Sequence, residues 1–181
     1  MTVNASDSTS VLDRVAAERA ARGQRIPEEL ARLGQCTFTR FLRDRSTREG
    51  ARTALVFGER SLTYAELWWR VDRARHVLHA RGVRAGQSVA FLMNNSDHYV
   101  VWYLAVLGLG AIAVPLNNRL VAREAGYIVE HSQAVLLITE PVFAVVHRQL
   151  VAEFNIDRPR LELDIANPES GLGGDCWAEE P

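Results

Sequence analysis

The chain has 181 residues, about the length of one domain, and its 48% hydrophobic and 24% charged residues are typical of a globular protein. The formal net charge is -1 and the basic residues are spread along the chain, which argues against nucleic acid as a partner. All 21 basic residues are arginine, so this polypeptide cannot supply chemistry that needs a lysine amine.

The first 35 residues are predicted to form a disordered tail and a helical arm. Residues 1–10 are small and polar, without the basic start and apolar core of a secretory signal. Residues 11–33 have the pattern of two short helices rich in alanine and arginine. The two cysteines, Cys36 and Cys176, form neither a metal-binding nor a disulfide motif. These features together predict a protein of the reducing cytoplasm.

A short docking helix and a hairpin are predicted next. Residues 37–46 place Phe38, Phe41 and Leu42 three and four positions apart, the spacing of one apolar helical face. The β-branched and apolar run TALVF, a Gly-Glu turn and the extended run RSLT follow. This order predicts a small β-hairpin.

A longer helix is predicted to begin at Thr63. This threonine stands three residues before Glu66, the spacing of a capping box in which each residue satisfies a backbone N–H of the other. Gly82 marks the predicted end. His76 and His79 lie three apart without a third ligand nearby in sequence, so surface positions are predicted and not a metal site. The predicted buried stripe contains Leu67, Val71, Ala74 and Leu78.

Strands and helices alternate from Ser88 onward, which predicts a doubly wound, mostly parallel α/β sheet with flanking helices. Residues 166–181 are rich in glycine, proline and acidic residues and predict a flexible tail. The predicted strands are SVAFLM, AVLLIT and an edge strand RLELDI. Three helices are predicted: one that begins after a cap at Asn95 or Ser96, one over Val121–Gln133, and one that begins at Pro141.

The uncharged stretch YVVWYLAVLGLGAIAVPL, Tyr99–Leu116, has three interpretations. Its eighteen residues approach the length of a membrane span, but Gly108, Gly110 and Pro115 interrupt a helix there. Its GLGAIA fits the dinucleotide fingerprint, yet that fingerprint must follow a strand and open a helix, and the order here is reversed. The stretch therefore predicts a helix, a turn and a strand, with no membrane span.

Four segments carry a resemblance to a known family: SLTYAEL at Ser61–Leu67, GVRAGQSVAFLMNNS at Gly82–Ser96, YLAVLGLGAIAVPLN at Tyr103–Asn117, and YIVEHS at Tyr127–Ser132. Their order and spacing over residues 38–140 resemble the N-terminal part of the adenylate-forming superfamily, which includes acyl-CoA synthetases, luciferases and peptide-synthetase adenylation domains. Within it, VPLNNRL is most similar to fatty-acid or aryl-acid CoA ligases.

The resemblance implies a reaction in which ATP and a carboxylic acid form an acyl-adenylate that is passed to coenzyme A, with ATP, magnesium and CoA as cofactors of the complete enzyme. The family's lysine-ended phosphate loop, acidic magnesium residue and catalytic lysine are missing here; Glu169–Asp175 lacks the loop's threonine pair and lysine. We expect this chain alone to bind no cofactor, and no catalytic or metal-binding residue is assigned. The family residues that are present are interpreted as structural: Thr63, Glu66, Gly108, Gly110 and Pro115.

These observations divide the chain into the arm at 1–35, an N-terminal α/β subdomain at 36–165 and the tail at 166–181. The leading hypothesis is an N-terminal segment of an acid-CoA ligase, inactive by itself, as an engineered truncation, a shortened gene product or half of a split enzyme. The alternative is a stand-alone, non-catalytic interaction module of that family. The expected partner is the remainder of the ligase or a complementing subunit. A partial sheet also exposes apolar surface, which predicts self-association or marginal stability.

Overall fold

A hairpin and five helices surround a four-stranded sheet in the part of the chain that the computed structural model describes, residues 37–172 except 165 and 168. Helix α1, Phe38–Arg48, buries Leu42 as its apolar spacing predicts. Strand β1, Thr53–Phe57, pairs antiparallel with β2, Arg60–Thr63, through a turn in which Gly58 has a φ of 59°. The predicted hairpin is confirmed. The predicted helix also forms, but of its predicted apolar face only Leu42 is buried, whereas Phe38 and Phe41 are exposed.

Helix α2, Tyr64–Ala80, begins at the predicted capping box. The Glu66 N–H donates to Thr63 Oγ1 at 3.2 Å, and the Thr63 N–H donates to Glu66 Oε2 at 2.8 Å. The helix ends before Gly82, whose φ of 87° only glycine adopts without strain. The predicted stripe is buried, together with Val77: Leu67, Val71, Ala74, Val77 and Leu78.

The central sheet is parallel and has the strand order β4-β3-β5-β6. Because β3 lies between the two strands that follow it in the chain, the connection from β4 to β5 crosses back over β3. This topology confirms the prediction of a doubly wound, mostly parallel sheet. The strands are β3 at Ser88–Leu92, β4 at Ile112–Pro115, β5 at Leu136–Thr139 and β6, the predicted edge strand, at Arg160–Glu162.

Both faces of the sheet are covered, so β3 is buried on either side. Val89 and Phe91 face the core formed with α1, α2 and helix α3, Asp97–Gly108. Ala90 and Leu92 face a second core with two further helices. This double burial explains why β3 is an apolar run without alternation. The two further helices are α4 at Ala122–His131 and α5 at Ala144–Phe154, the latter entered through a short 3₁₀ turn at Pro141–Phe143.

The stretch Tyr99–Leu116 is confirmed as a helix, a turn and a strand. Ser96 caps α3 by accepting from the Tyr99 N–H at 3.1 Å. The Gly110 N–H donates to the Leu107 carbonyl at 3.0 Å, so it closes the helix and is not presented to a phosphate. A φ of 69° at Gly110 then turns the chain into β4. Within the described residues, no helix combines the length and the apolar character needed to cross a membrane.

The chain after β6 differs in part from the flexible tail expected from residue 166. Leu172 is only 2% exposed and belongs to the same core as Trp102, and its carbonyl accepts from Arg73 Nε at 2.6 Å. One apolar side chain thus anchors a segment whose composition is typical of a linker. The predictions for residues 1–36 and 173–181 lie outside the described residues, and the proposed domain boundaries stay predictions.

Candidate functional site

The candidate site lies at the carboxyl ends of β3 and β5. These neighbouring strands lead to helices on opposite faces of the sheet, since α3 packs in one core and α5 in the other. Loops that diverge in this way leave a crevice at the edge of a parallel sheet, which is where doubly wound proteins bind ligands. The polar residues that follow these two strands are therefore the first candidates for function.

A buried carboxylate joins the two strand ends. Glu140 follows β5 directly and is 2% exposed. Its Oε1 accepts from the Asn94 N–H at 2.8 Å and its Oε2 accepts from Asn94 Nδ2 at 3.0 Å. Beside it, Thr139 Oγ1 donates to the Leu92 carbonyl at 3.0 Å. Both carboxylate oxygens thus act as acceptors for the residue that continues from β3.

The same network reaches the loop after β4. Asn94 Oδ1 accepts from Asn118 Nδ2 at 2.9 Å, and Asn118 is exposed at the rim. In the same loop, Asn117 Oδ1 accepts from the Arg119 N–H at 3.0 Å, which forms a tight turn. Glu140, Asn94 and Asn118, here called the switch-point relay, therefore connect the carboxyl ends of three adjacent strands.

The switch-point relay can position loops, but it contains no activated nucleophile. Its groups are one carboxylate and two amides, which hold geometry through hydrogen bonds. Among the residues that the structure describes, no group of three histidine, cysteine, aspartate or glutamate side chains is arranged to hold a metal ion. The arrangement is a scaffold for a binding edge, and reacting groups would have to come from elsewhere.

A second buried polar group lies at the start of α3. Asp97 Oδ1 accepts from Arg60 Nη2 at 2.7 Å, which ties the helix to β2. His98, next in sequence, is 3% exposed. Burial lowers the pKa of His98; the Asp97 charge opposes that shift, Arg60 and Arg70 add to it, and Asp164 opposes it. The neutral imidazole is therefore the form that the folded chain favours.

The residues singled out from the sequence lie away from the switch-point relay. Thr63 and Glu66 cap α2, as described above. Gly108 leaves room for the Arg75 side chain of α2, because a Cβ there would lie 2.7 Å from Arg75 Cδ. His76 lies on the exposed side of α2, 3.8 Å from an oxygen of Asp72, and His79 is also exposed. Gly110 and Pro115 shape the turn into β4 and the end of that strand, and the described part of Glu169–Asp175 forms a turn.

The three members of the relay are not predicted in the sequence section above, although the sequence contains a signal for them. Asn94, Asn118 and Glu140 each follow a predicted buried strand within a few residues. The carboxyl ends of parallel strands meet at one edge of a sheet, so polar residues at these positions are expected to approach one another. The sequence pattern does not give the order of the strands in the sheet, and this order decides which strand ends are neighbours.

Comparison with known proteins identifies relatives of this chain. A family model described as AMP-binding enzyme matches residues 42–172. The 3-hydroxybenzoate–CoA ligase of Aromatoleum sp. (strain CIB) is 37% identical over 122 residues, which cover 67% of this chain and 23% of the relative. The crotonobetaine/carnitine–CoA ligase of Salmonella paratyphi A is 32% identical over 106 residues, covering 56% of this chain and 20% of the relative. The chain thus spans about a fifth to a quarter of the length of these curated relatives.

Solved structures agree with this family. The N-terminal domain of FACL13 from Mycobacterium tuberculosis superimposes with a TM-score of 0.65 at 30% identity, over 72% of this chain and 34% of that one. A benzoate CoA ligase from Burkholderia xenovorans gives a TM-score of 0.66 over 73% of this chain and 27% of that one. At 22% identity the second likeness concerns the fold alone.

Proposed function

Because the chain belongs to the AMP-binding enzyme family, we propose that it forms the N-terminal portion of an ATP-dependent acid-CoA ligase. In this reaction the carboxylate of the acid attacks ATP, pyrophosphate leaves, and the acyl group of the adenylate passes to the thiol of coenzyme A. The observation that supports the proposal most strongly is the 30% identical superposition on the N-terminal domain of FACL13. Two curated relatives named as CoA ligases agree with it.

The substrate that we propose is an aryl or fatty acid, with an aryl acid first. A relative named for 3-hydroxybenzoate is 37% identical to the chain, and a relative named for crotonobetaine and carnitine is 32% identical. The switch-point relay would then act as scaffold. By fixing three loops at the carboxyl edge of the sheet, Glu140, Asn94 and Asn118 give later parts of the enzyme a rigid surface on which to assemble the site.

We further propose that residues 1–181 do not adenylate an acid without a partner. The transfer requires positive charge at the phosphates as the carboxylate attacks, which the family resemblance assigns to lysines. This chain contains no lysine. ATP, magnesium and CoA would be bound jointly by this chain and the remainder of the ligase or a complementing subunit. The compartment that we propose is the reducing cytoplasm, because the two cysteines form neither a disulfide motif nor a metal-binding motif.

The test is ATP–pyrophosphate exchange by the purified chain with 3-hydroxybenzoate, benzoate and fatty acids of several lengths. We expect no exchange above the no-enzyme blank with any acid. Robust acid-dependent exchange by the chain alone would overturn the requirement for outside lysines. The same preparation carries a second readout, because a polypeptide that supplies a lysine-ended phosphate loop is expected to restore exchange when added.

A second candidate function, an interaction module without catalysis, is favoured by the exposed apolar residues on several elements. Phe38, Val56, Tyr127 and Val142 are each more than half exposed. Pull-down followed by mass spectrometry separates the two functions. A captured protein that carries the phosphate loop and the lysines supports the ligase. An unrelated captured protein supports the interaction module, provided that no lysine-bearing chain restores ATP–pyrophosphate exchange. Native mass spectrometry of the chain alone tests self-association.

A further inference from the structure

Helix α2 carries a large aromatic side chain that the described residues leave partly uncovered. Trp69 is 46% exposed, whereas Trp68 is half-buried and Trp102 is fully buried. The guanidinium of Arg73 lies over the Trp69 ring, 5.3 Å from the ring centroid, which is a cation–π contact. The surface of α2 around Trp69 and Arg73 is here called the tryptophan face. Covering it would bury apolar area that the described residues leave in contact with water.

The described part of the chain ends at this surface. Leu172 is buried, and its carbonyl accepts from Arg73 Nε at 2.6 Å. The guanidinium group that binds the last described residue is thus the same group that lies over Trp69. The residues that follow Leu172 therefore start beside the tryptophan face.

The sequence of residues 173–181, GGDCWAEEP, complements the tryptophan face in charge. This segment contains three acidic residues and no basic one, whereas residues 64–84, which include α2, contain five arginines and two acidic residues. Opposite charges on two surfaces attract each other and favour the correct partner over others. The segment is therefore suited to the α2 side of the molecule.

The segment also has the side chain and the reach that the tryptophan face requires. Its large apolar residue is Trp177, five positions after Leu172. Five residues can span up to about 17 Å, which is enough to pass Arg73 and reach Trp69. The two glycines that begin the segment give the backbone the freedom to fold back onto the helix.

We propose that residues 173–181 dock on the tryptophan face, with Trp177 packed against the exposed part of the Trp69 ring and the Asp175 carboxylate beside the guanidinium groups of Arg70 and Arg73. This inference goes beyond the proposed function, because it gives α2 a partner within this chain. It holds whether or not the chain forms part of an active ligase.

The anchoring of Leu172 makes this docking favourable for a small contact. Ordering a free peptide on a surface costs conformational entropy for every residue that it fixes. Here one end of the segment is already fixed by the burial of Leu172 and by its bond to Arg73. A short flexible connection of this kind gives an effective concentration on the order of millimolar. One aromatic pair with one charge pair is a contact of matching strength.

NMR spectroscopy of the full chain tests the docking through the indole N–H resonances of its four tryptophans. A synthetic peptide of residues 169–181 gives the position of the undocked Trp177 resonance. In the chain, we expect this resonance to lie away from the peptide position and nuclear Overhauser effects to connect the Trp177 and Trp69 rings. Trp69→Ala should lower the docking equilibrium constant by about two- to tenfold, the contribution of an aromatic pair. The Trp177 resonance then moves toward the peptide position.

Phe57→Ala is the matched control, because Phe57 is also exposed and also lies near an arginine guanidinium, that of Arg60 at 5.8 Å. This variant should leave the Trp177 resonance at its wild-type position. Asp175→Asn should move the resonance part of the way to the peptide position, and so should high salt, which screens exposed charges.

Three results would overturn the proposal. The first is a wild-type Trp177 resonance at the peptide position, and the second is Overhauser contacts of Trp177 with a surface other than α2. The third is a shift that disappears on dilution, because it would show docking on a second copy. If Trp69→Ala does not fold, Trp177→Ala decides: the Trp69 resonance should shift while that of buried Trp102 stays, and an unchanged Trp69 resonance contradicts the docking.

Discussion

Replacing Glu140 by alanine is predicted to loosen three strand ends at once. The substitution removes the acceptor of both the Asn94 N–H and Asn94 Nδ2. A buried donor left without a partner costs about 1–3 kcal/mol. Asn94 is only half-buried, so water can satisfy part of its requirement. Adding the cavity left by the 2% exposed side chain, we expect Glu140→Ala to lower the free energy of unfolding by about 2–4 kcal/mol.

Urea unfolding followed by tryptophan fluorescence measures this loss, because Trp102 is fully buried. With an m-value of about 2 kcal/mol per molar, the unfolding midpoint should fall by about 1–2 M. Glu140→Gln should fall between wild type and alanine, since the remaining oxygen can still accept from the Asn94 N–H, while the new amide faces Asn94 Nδ2, donor against donor, unless Asn94 turns over. Glu153→Ala, at an exposed position of α5, is the matched control and should change stability by less than about 0.5 kcal/mol. A Glu140→Ala midpoint equal to that of Glu153→Ala would refute the structural role of the relay.

Gly171→Ala should lower the free energy of unfolding by about 2–4 kcal/mol, because its φ is 76° and a Cβ would overlap Leu163 and Trp102. Gly86→Ala is the matched control: its φ is 78° and no atom lies within 4 Å of the Cβ position, so the loss should be only about 1 kcal/mol. Urea midpoints compare the two variants, and equal losses would show that the turn at residues 169–172 is not packed as described. Thr63→Ala should lower stability by about 0.5–2 kcal/mol by removing the cap of α2, measured by thermal unfolding, and Thr63→Ser should restore most of it; no difference between the two would contradict the cap.

The elements of this fold are predictable because their signals are local. The capping box at Thr63 and Glu66 needs residues three apart, and the helix–turn–strand in Tyr99–Leu116 follows from two glycines and a proline in an apolar run. Doubly wound topology also follows, because buried strands that alternate with helices have few other ways to pack. For these elements the structure matches the prediction from the sequence.

The polar network and the burial of Leu172 depend instead on contacts between distant residues. Asn94 and Glu140 are 46 positions apart and meet only because β3 and β5 are neighbours. His98 is 3% exposed, although the NNSD before it is typical of an exposed helix start. Leu172 lies in a glycine-rich context that is typical of a linker, yet it is buried in the same core as Trp102. Such pairings follow from strand order and packing, which no local pattern contains.

Replacing the matched segment of a relative tests the central claim most directly. Residues 42–172 of this chain would replace the corresponding segment of the Aromatoleum 3-hydroxybenzoate–CoA ligase, which then supplies the rest of the enzyme. If the chain is the N-terminal portion of an acid-CoA ligase, the folded chimera shows acid-dependent ATP–pyrophosphate exchange and forms an acyl-CoA, and Glu140→Ala in the chimera weakens both. A chimera that folds and binds ATP as the parent does, yet shows no exchange with any acid while the parent is active, would contradict the account.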